Sequence, residues 1–135
     1  MHRETYSSGS PWEARVGYAR AVRVGDLVVV AGTTASDQEG KLVGEGDAYH
    51  QTRYILEKID RALRALGAST NDVIRTRMYV TDIALWEEIG RAHQEVFGEV
   101  RPAATMVEVR RLVTPGMLVE IEVDAVAGAG EVRHG

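Results

Sequence analysis

Three carboxylates near the end of the chain are the first candidates for chemistry. Glu120, Glu122 and Asp124 alternate with Val119, Ile121, Val123 and Ala125, the two-residue period of a strand, so the acids share one face and the apolar side chains the other. Same-face neighbours lie about 7 Å apart, near enough to repel and, where partly desolvated, to raise one another's pKa. One of them could then donate a proton or activate water. From the residues alone, a solvated or arginine-paired acidic face is the better account. His93 is the second candidate, because imidazole titrates near neutrality and can shuttle protons. No carboxylate is fixed beside it in sequence, so a half-buried helix histidine held by a backbone carbonyl is the favoured reading. His50 reads the same way, and His2 and His134 fall in terminal segments. No two histidines have the i, i+4 spacing of a metal pair, and the chain has no cysteine to serve as nucleophile, thiolate ligand or disulfide partner. Neither a metal nor a cofactor is expected.

Apolar periodicity supplies the elements that would position these groups. Arg20, Val22 and Val24 alternate with Ala19, Ala21 and Arg23, Gly25-Asp26 makes a turn, and Leu27-Val28-Val29-Val30-Ala31 returns as the second strand of a hairpin. That second strand is apolar on both faces, which predicts a central position with both faces covered. Residues 34–46, with Gly40, Gly44 and Gly46, read as an excursion loop. Over residues 48–66, Thr52, Ile55, Leu56, Ile59, Ala62, Leu63 and Leu66 recur at three- and four-residue steps, an amphipathic helix that Gly67 can end in the left-handed conformation. Residues 73–80 alternate as a strand. Asp82 can cap a second helix with apolar positions Leu85, Ile89, Ala92 and Val96, and Gly90 within it, costing about 1 kcal/mol relative to alanine, predicts a close approach or another packing reason there. Residues 104–109 and 118–127 are the last strands, joined through Pro115-Gly116.

The order β-β-α-β-α-β-β predicts an α+β domain, a mixed sheet with two helices on one face. Its other face must be buried elsewhere, and Val28, Val30, Met78 and Tyr79 are the apolar residues expected to supply that surface. Residues 1–17, with Ser7-Ser8-Gly9-Ser10-Pro11, read as a partly mobile N-terminal extension, residues 18–130 as a single domain and residues 131–135 as a tail.

Bulk properties narrow the partners. A chain of 135 residues is about one domain. With 27% charged and 44% apolar residues it has the balance of a soluble globular protein. The formal net charge of −4 argues against nucleic acid, which calls for a basic patch. The start, Met1 to Tyr6, lacks the apolar run of a signal peptide, and the apolar run at residues 27–31 is far too short to cross a bilayer. The expected setting is cytoplasmic, with no membrane.

Gly17-Tyr18, Ala31-Gly32-Thr33, Val80-Thr81-Asp82, Phe97, the run Arg101-Pro102-Ala103-Ala104-Thr105-Met106-Val107-Glu108-Val109 and the closing Val119-Glu120-Ile121-Glu122 occur in that order. Together they resemble the RidA (YjgF-type) family over nearly the whole chain from Gly17 onward. The resemblance implies a chorismate-mutase-like fold, a homotrimer whose sheets form a central barrel, and clefts between subunits that take a small-molecule ligand. In well-characterised members those clefts hydrolyse reactive imines or enamines to keto acids and ammonia. It also implies site residues: Glu120 to orient the hydrolytic water, Tyr18 to orient the substrate, and the Gly32-Thr33 backbone to bind developing negative charge. Ala104, Met106 and His93 then fall on the wall of the cleft.

The departures matter as much as the match. Deaminating members carry an arginine after this Pro-Ala, a guanidinium that holds the substrate carboxylate; here the position is Ala104. Arg101 lies before the proline, and at about 3.3 Å per residue Arg110 starts roughly 20 Å away. A neighbouring copy's arginine, such as Arg20, is left as a candidate. Met106 stands where cysteine is common, which makes this wall apolar, and Gly90 and His93 stand where many members have asparagine and tyrosine. Two functions stay open: a deaminase-like hydrolase acting on an imine, enamine or related C=N compound but not on standard 2-aminoacrylate, or a non-catalytic ligand-binding or protein-interaction trimer of the same fold. A ribonuclease reading is disfavoured by the net charge.

Overall fold

A computed structural model describes residues 2–131. The chain runs β1 (Arg3–Tyr6), α1 (Pro11–Val16), β2 (Ala21–Val24), β3 (Leu27–Thr34), α2 (Ala48–Ala65), β4 (Val73–Val80), α3 (Trp86–Phe97), β5 (Ala103–Glu108) and β6 (Val119–Val126), with short 3-10 turns before β4 and α3. Six strands form one sheet in the order β1-β2-β3-β6-β4-β5. All pairings are antiparallel except β4 with β5, which is parallel and is connected through α3. This is the α+β mixed sheet expected from the sequence, with α2 and α3 on one face. Among the described residues no helix is long and apolar enough to cross a membrane.

The core lies between that face and the helices. Ile55, Leu56, Ile59 and Leu63 of α2 and Ile89 and Phe97 of α3 are buried against Val28, Val30, Met78, Val80, Ile121 and Val123. Each such side chain contributes roughly 1.5–3 kcal/mol of transfer free energy. Asp47 caps α2 by accepting a hydrogen bond from the His50 amide at 2.9 Å, and Gly67, at φ 82°, ends it as expected. Gln51 is wholly buried yet satisfied: its Nε2 donates to Gly44 O (3.1 Å) and Gly116 O (2.9 Å), and its Oε1 accepts from Leu118 N (2.9 Å). One amide thus fixes the excursion loop, the Pro115-Gly116 turn and the entry to β6.

A bulge in β3 sets which residues face in. Val30 pairs with Val123 but Thr33 pairs with Ile121, so Ala31 and Gly32 together oppose one residue of β6. A one-residue slip exchanges the two faces. Val28 and Val30 therefore point to the helices before the bulge and Thr33 after it, while Gly32 and Thr34 turn toward Glu120.

Four expectations change. Residues 3–6, read as part of a loop, form an edge strand on β2, and residues 11–16 form a helix. The second hairpin strand is not covered on both faces, since Leu27 and Val29 remain 47% and 37% exposed. Val28, Val30 and Met78 lie under the helices, so of the residues expected on the open face only Tyr79 is there; Leu27, Val29 and Val107 provide its apolar surface instead. Gly90 meets no close approach, for nothing lies within 4 Å of where its Cβ would be. Residues 132–135 of the tail, with His134, lie outside the described residues.

Candidate functional site

A cavity of about 330 Å³ opens where the end of β3, the start of β6, α1 and α2 meet. The chain reaches it through an anchored turn. Glu13, buried in α1, accepts hydrogen bonds from Ser8 through both its amide (3.2 Å) and its hydroxyl, which folds the segment before α1 back on itself. Gly17 leaves α1 at φ 90°, with its own amide and that of Tyr18 both donating to Glu13 O. That left-handed exit presents Tyr18 to the cavity.

Arg20 comes next. It is buried, and its Nη1 donates to Gly32 O (3.0 Å) and Thr33 Oγ1 (3.1 Å), clamping the bulge. Its guanidinium carbon stands 5.5 Å from the Tyr18 ring centre, within cation–π range. Its Nε is buried without a hydrogen-bond partner, the nearest acid being Glu13 Oε2 at 3.9 Å.

The acidic face of β6 divides in two. Asp124 accepts from Arg77 Nη1 at 3.2 Å, and Glu122 accepts from the Tyr79 hydroxyl at 2.6 Å with Arg77 at 3.9 Å. Both are paired, as the structural reading of this face expects. Glu120 instead lies half-buried on the Gly32 backbone, where a Cβ on residue 32 would stand 2.3 Å from its Oε2. Only glycine leaves room for that carboxylate. Burial pushes the Glu120 carboxyl above the ordinary carboxylate range; Arg20 opposes the shift and the Glu122 charge adds to it.

Tyr18, Gly32 and Glu120 therefore meet at one cavity. Thr33 adjoins it, but its side chain is buried away from the opening, donating to Ala31 O at 2.8 Å. Ala104 and Met106 lie elsewhere. They pair with Thr76 and Met78, residues of the helix-covered face, whereas Glu120 is on the open face two strands across, a lateral spacing of about 10 Å, with Ala104 displaced a further three residues along β5. His93 joins this second group. Its Nε2 is 2.9 Å from Thr76 Oγ1, not on a backbone carbonyl, and its ring packs on Phe97 with centroids 4.7 Å apart. Burial pushes its pKa down. Within one chain the six residues other than Thr33 thus fall into two groups, Tyr18, Gly32 and Glu120 at the cavity and Ala104, Met106 and His93 away from it on the opposite face. Among the described residues no group of three or more His, Asp or Glu side chains could hold a metal ion.

Sequence reasoning missed Lys58. It lines the cavity from α2, and its Nζ donates to Thr34 O and Ser36 O, both at 2.8 Å. Burial first, then the charges of Arg20 and Arg61, lowers its pKa to about 8. Trp12 and Tyr54, also on the wall, were missed as well.

The sheet order, the helices on one face and the cavity at the β3–β6 end define a chorismate-mutase-like α+β domain. A family model described as Endoribonuclease L-PSP matches residues 9–127, and the chain belongs to this family, that of the YjgF and RidA proteins. The crystal structure of Rv2704 from Mycobacterium tuberculosis, a member of the YjgF/YER057c/UK114 family, is similar with a TM-score of 0.85 at 52% identity, covering 93% of this chain and 99% of that one. An uncharacterized protein of Streptomyces coelicolor is 43% identical over 90% of both chains. The 3-aminoacrylate deaminase RutC of Acinetobacter baylyi is 36% identical over 77% of this chain and 82% of its own length.

Proposed function

We propose that this protein is a homotrimeric hydrolase that deaminates an imine, enamine or related C=N compound other than standard 2-aminoacrylate. The observation that carries the reading is the Glu120 carboxylate, half-buried on Gly32 at the wall of a 330 Å³ cavity with its pKa raised. A raised pKa makes the carboxylate a stronger base toward water. Glu120 takes a proton from water as its oxygen adds to the C=N carbon. The nitrogen gains a proton, the carbinolamine collapses, and ammonia leaves a carbonyl product. Tyr18 orients the substrate, and the Gly32-Thr33 backbone carries the developing charge.

The trimer is supported by the split site and by the open sheet face. Leu27, Val29 and Val107 stay 47%, 37% and 43% exposed there, an apolar surface that a second copy would cover. A neighbouring copy's β5 edge would bring Ala104, Met106 and His93 to the Tyr18–Glu120 cavity. With alanine where the carboxylate anchor stands in relatives, three-carbon imino acids lose their main handle. The same alanine favours, as a second reading, a ligand-binding trimer without catalysis.

Ammonia release from a generated imine, measured for the native protein and Glu120→Gln with oligomeric state followed by light scattering, tests both parts. Loss of turnover in an intact trimer is expected. Undiminished turnover in the variant, or a stable native monomer at micromolar concentration, overturns the corresponding part.

A further inference from the structure

The cavity holds more positive charge and more aromatic surface than a three-carbon imine would use. Such a substrate has six heavy atoms, and at about 30 Å³ for each water-sized group it fills only about half of such a space. A cavity of 330 Å³ falls instead in the range that encloses larger organic ligands. Its walls carry Trp12, Tyr18 and Tyr54, and Trp12 is left 39% exposed. Such rings bind flat apolar groups well.

Arg20, Lys58 and Arg61 on the cavity wall outnumber its two carboxylates, Asp37 and Glu120, which leaves a net positive charge for an anion. Arg20 and Lys58 reach the cavity from different elements, and the lowered Lys58 pKa, caused in part by Arg20, shows that each feels the other. An ammonium has three donors, and Thr34 O and Ser36 O use two of those on Lys58. Arg20 gives Nη1 to Gly32 O and Thr33 Oγ1, which leaves Nη2 unused among the described residues. Each cation is also steadied over a ring, Arg20 over Tyr18 and Lys58 over Tyr54 at 5.9 Å. Asp37 and Glu13 lie close enough to raise the Lys58 pKa, but less than burial and the two arginines lower it.

We infer that this cavity takes a ligand with a flat, apolar body and one anionic group, the body lying among Trp12, Tyr18 and Tyr54 and the anion received by Lys58 and Arg20. This rests on the cavity being the substrate site and gives that substrate a class: an aryl-bearing acid whose anion is held from this side, not from the position of Ala104. Arg20 and Lys58 thus replace, within the chain, the anchor that Ala104 lacks.

Calorimetry on the assembled protein with 3-phenylpropionate, its neutral amide and propionate tests it. The aryl acid is expected to bind at least about tenfold more tightly than either of the others, the effect of one charge-assisted hydrogen bond. Lys58→Met should sharply reduce the preference of acid over amide, with Arg20 sustaining the remainder, while leaving amide affinity in place, and Lys58→Arg should retain it. Trp12→Ala should weaken both aryl ligands and spare propionate. Equal binding of acid and amide, no binding of the acid at millimolar concentration, or a Lys58→Met loss that is the same for acid and amide would each overturn the inference. The last result would mean that Lys58 merely braces the β3 end. Loss of hydrolysis in Glu120→Gln without any acid preference leaves the enzyme and removes this ligand class; acid preference without hydrolysis does the reverse.

Discussion

The two groups of residues are built in opposite ways. Around Glu120 the chain closes on itself: Gly32 gives the carboxylate its seat, Arg20 clamps the bulge, and Gln51 fixes the entry to β6. Around Ala104 there is an edge strand with no further strand beside it, and only His93, bonded to Thr76, is firmly held. Groups that act on a substrate need their geometry fixed before it arrives, and the first region meets that demand inside one chain. The second presents a short, partly exposed wall at the sheet edge, which in the proposed trimer would complete the cavity of another copy.

The comparison can be broken most severely at Gly32. Gly32→Ala places a methyl 2.3 Å from Glu120 Oε2, so the carboxylate must move. Hydrolysis is expected to fall about 10²-fold, the scale of a misplacement of an ångström or so, while thermal unfolding shifts little. Retained turnover would show that the Glu120 position is not critical. In the other group, Ala104→Arg should strengthen binding of a small 2-keto acid, read by calorimetry, by about tenfold, part of the 10- to 150-fold that a charge-assisted pair can supply. The gain is partial because Met106 and the facing copy were not shaped around that side chain. No gain would mean that β5 does not reach the cavity.

Titration sharpens the contrast further. Glu120 must be ionised to act as base, and its pKa is raised, so kcat/KM should fall on acidification at a pH above the ordinary carboxylate value of 4.5. Arg20→Gln removes the opposing charge and should move that limb still higher; a limb at the ordinary value would place Glu120 in water. His93 gives the smallest effect. Its folded pKa lies below the ordinary 6.5, so below that pH the unfolded chain binds more protons and stability declines until the folded pKa is passed. Urea unfolding followed against pH should show this slope, and His93→Gln should flatten it.

Much of this could be read from the residues. The hairpin turn at Gly25-Asp26, α2 with its Gly67 end and the alternating β6 all came from period and punctuation, because burial on one face writes those patterns directly. The N-terminal elements did not. β1 is an exposed edge strand with no alternation, and α1 buries only the charged Glu13, so neither leaves an apolar period. The Leu27–Thr34 strand is apolar on both faces before its bulge, which hides both the direction of the core and the change of face at Gly32. Tyr18 and Glu120 were singled out through the family resemblance, yet nothing in sequence said that Ala104 would lie on the opposite face. Lys58 looks like any solvated lysine on an amphipathic helix, since its partners, Thr34 O and Ser36 O, are more than twenty residues away.

The place of β6 bears on how the protein is made. Among the described residues the last strand in chain order sits in the middle of the sheet, bonded to β3 on one side and β4 on the other. Without β6, the β1-β2-β3 meander and the β4-α3-β5 unit have no strand to join them, and β3 and β4 each keep an edge unpaired. Such long-range pairing is slow to form and exposes those edges meanwhile. The ribosome must release residues 119–126 before the halves can join, and the same strand delivers Glu120, so a nascent chain gains its sheet and its candidate base in one step.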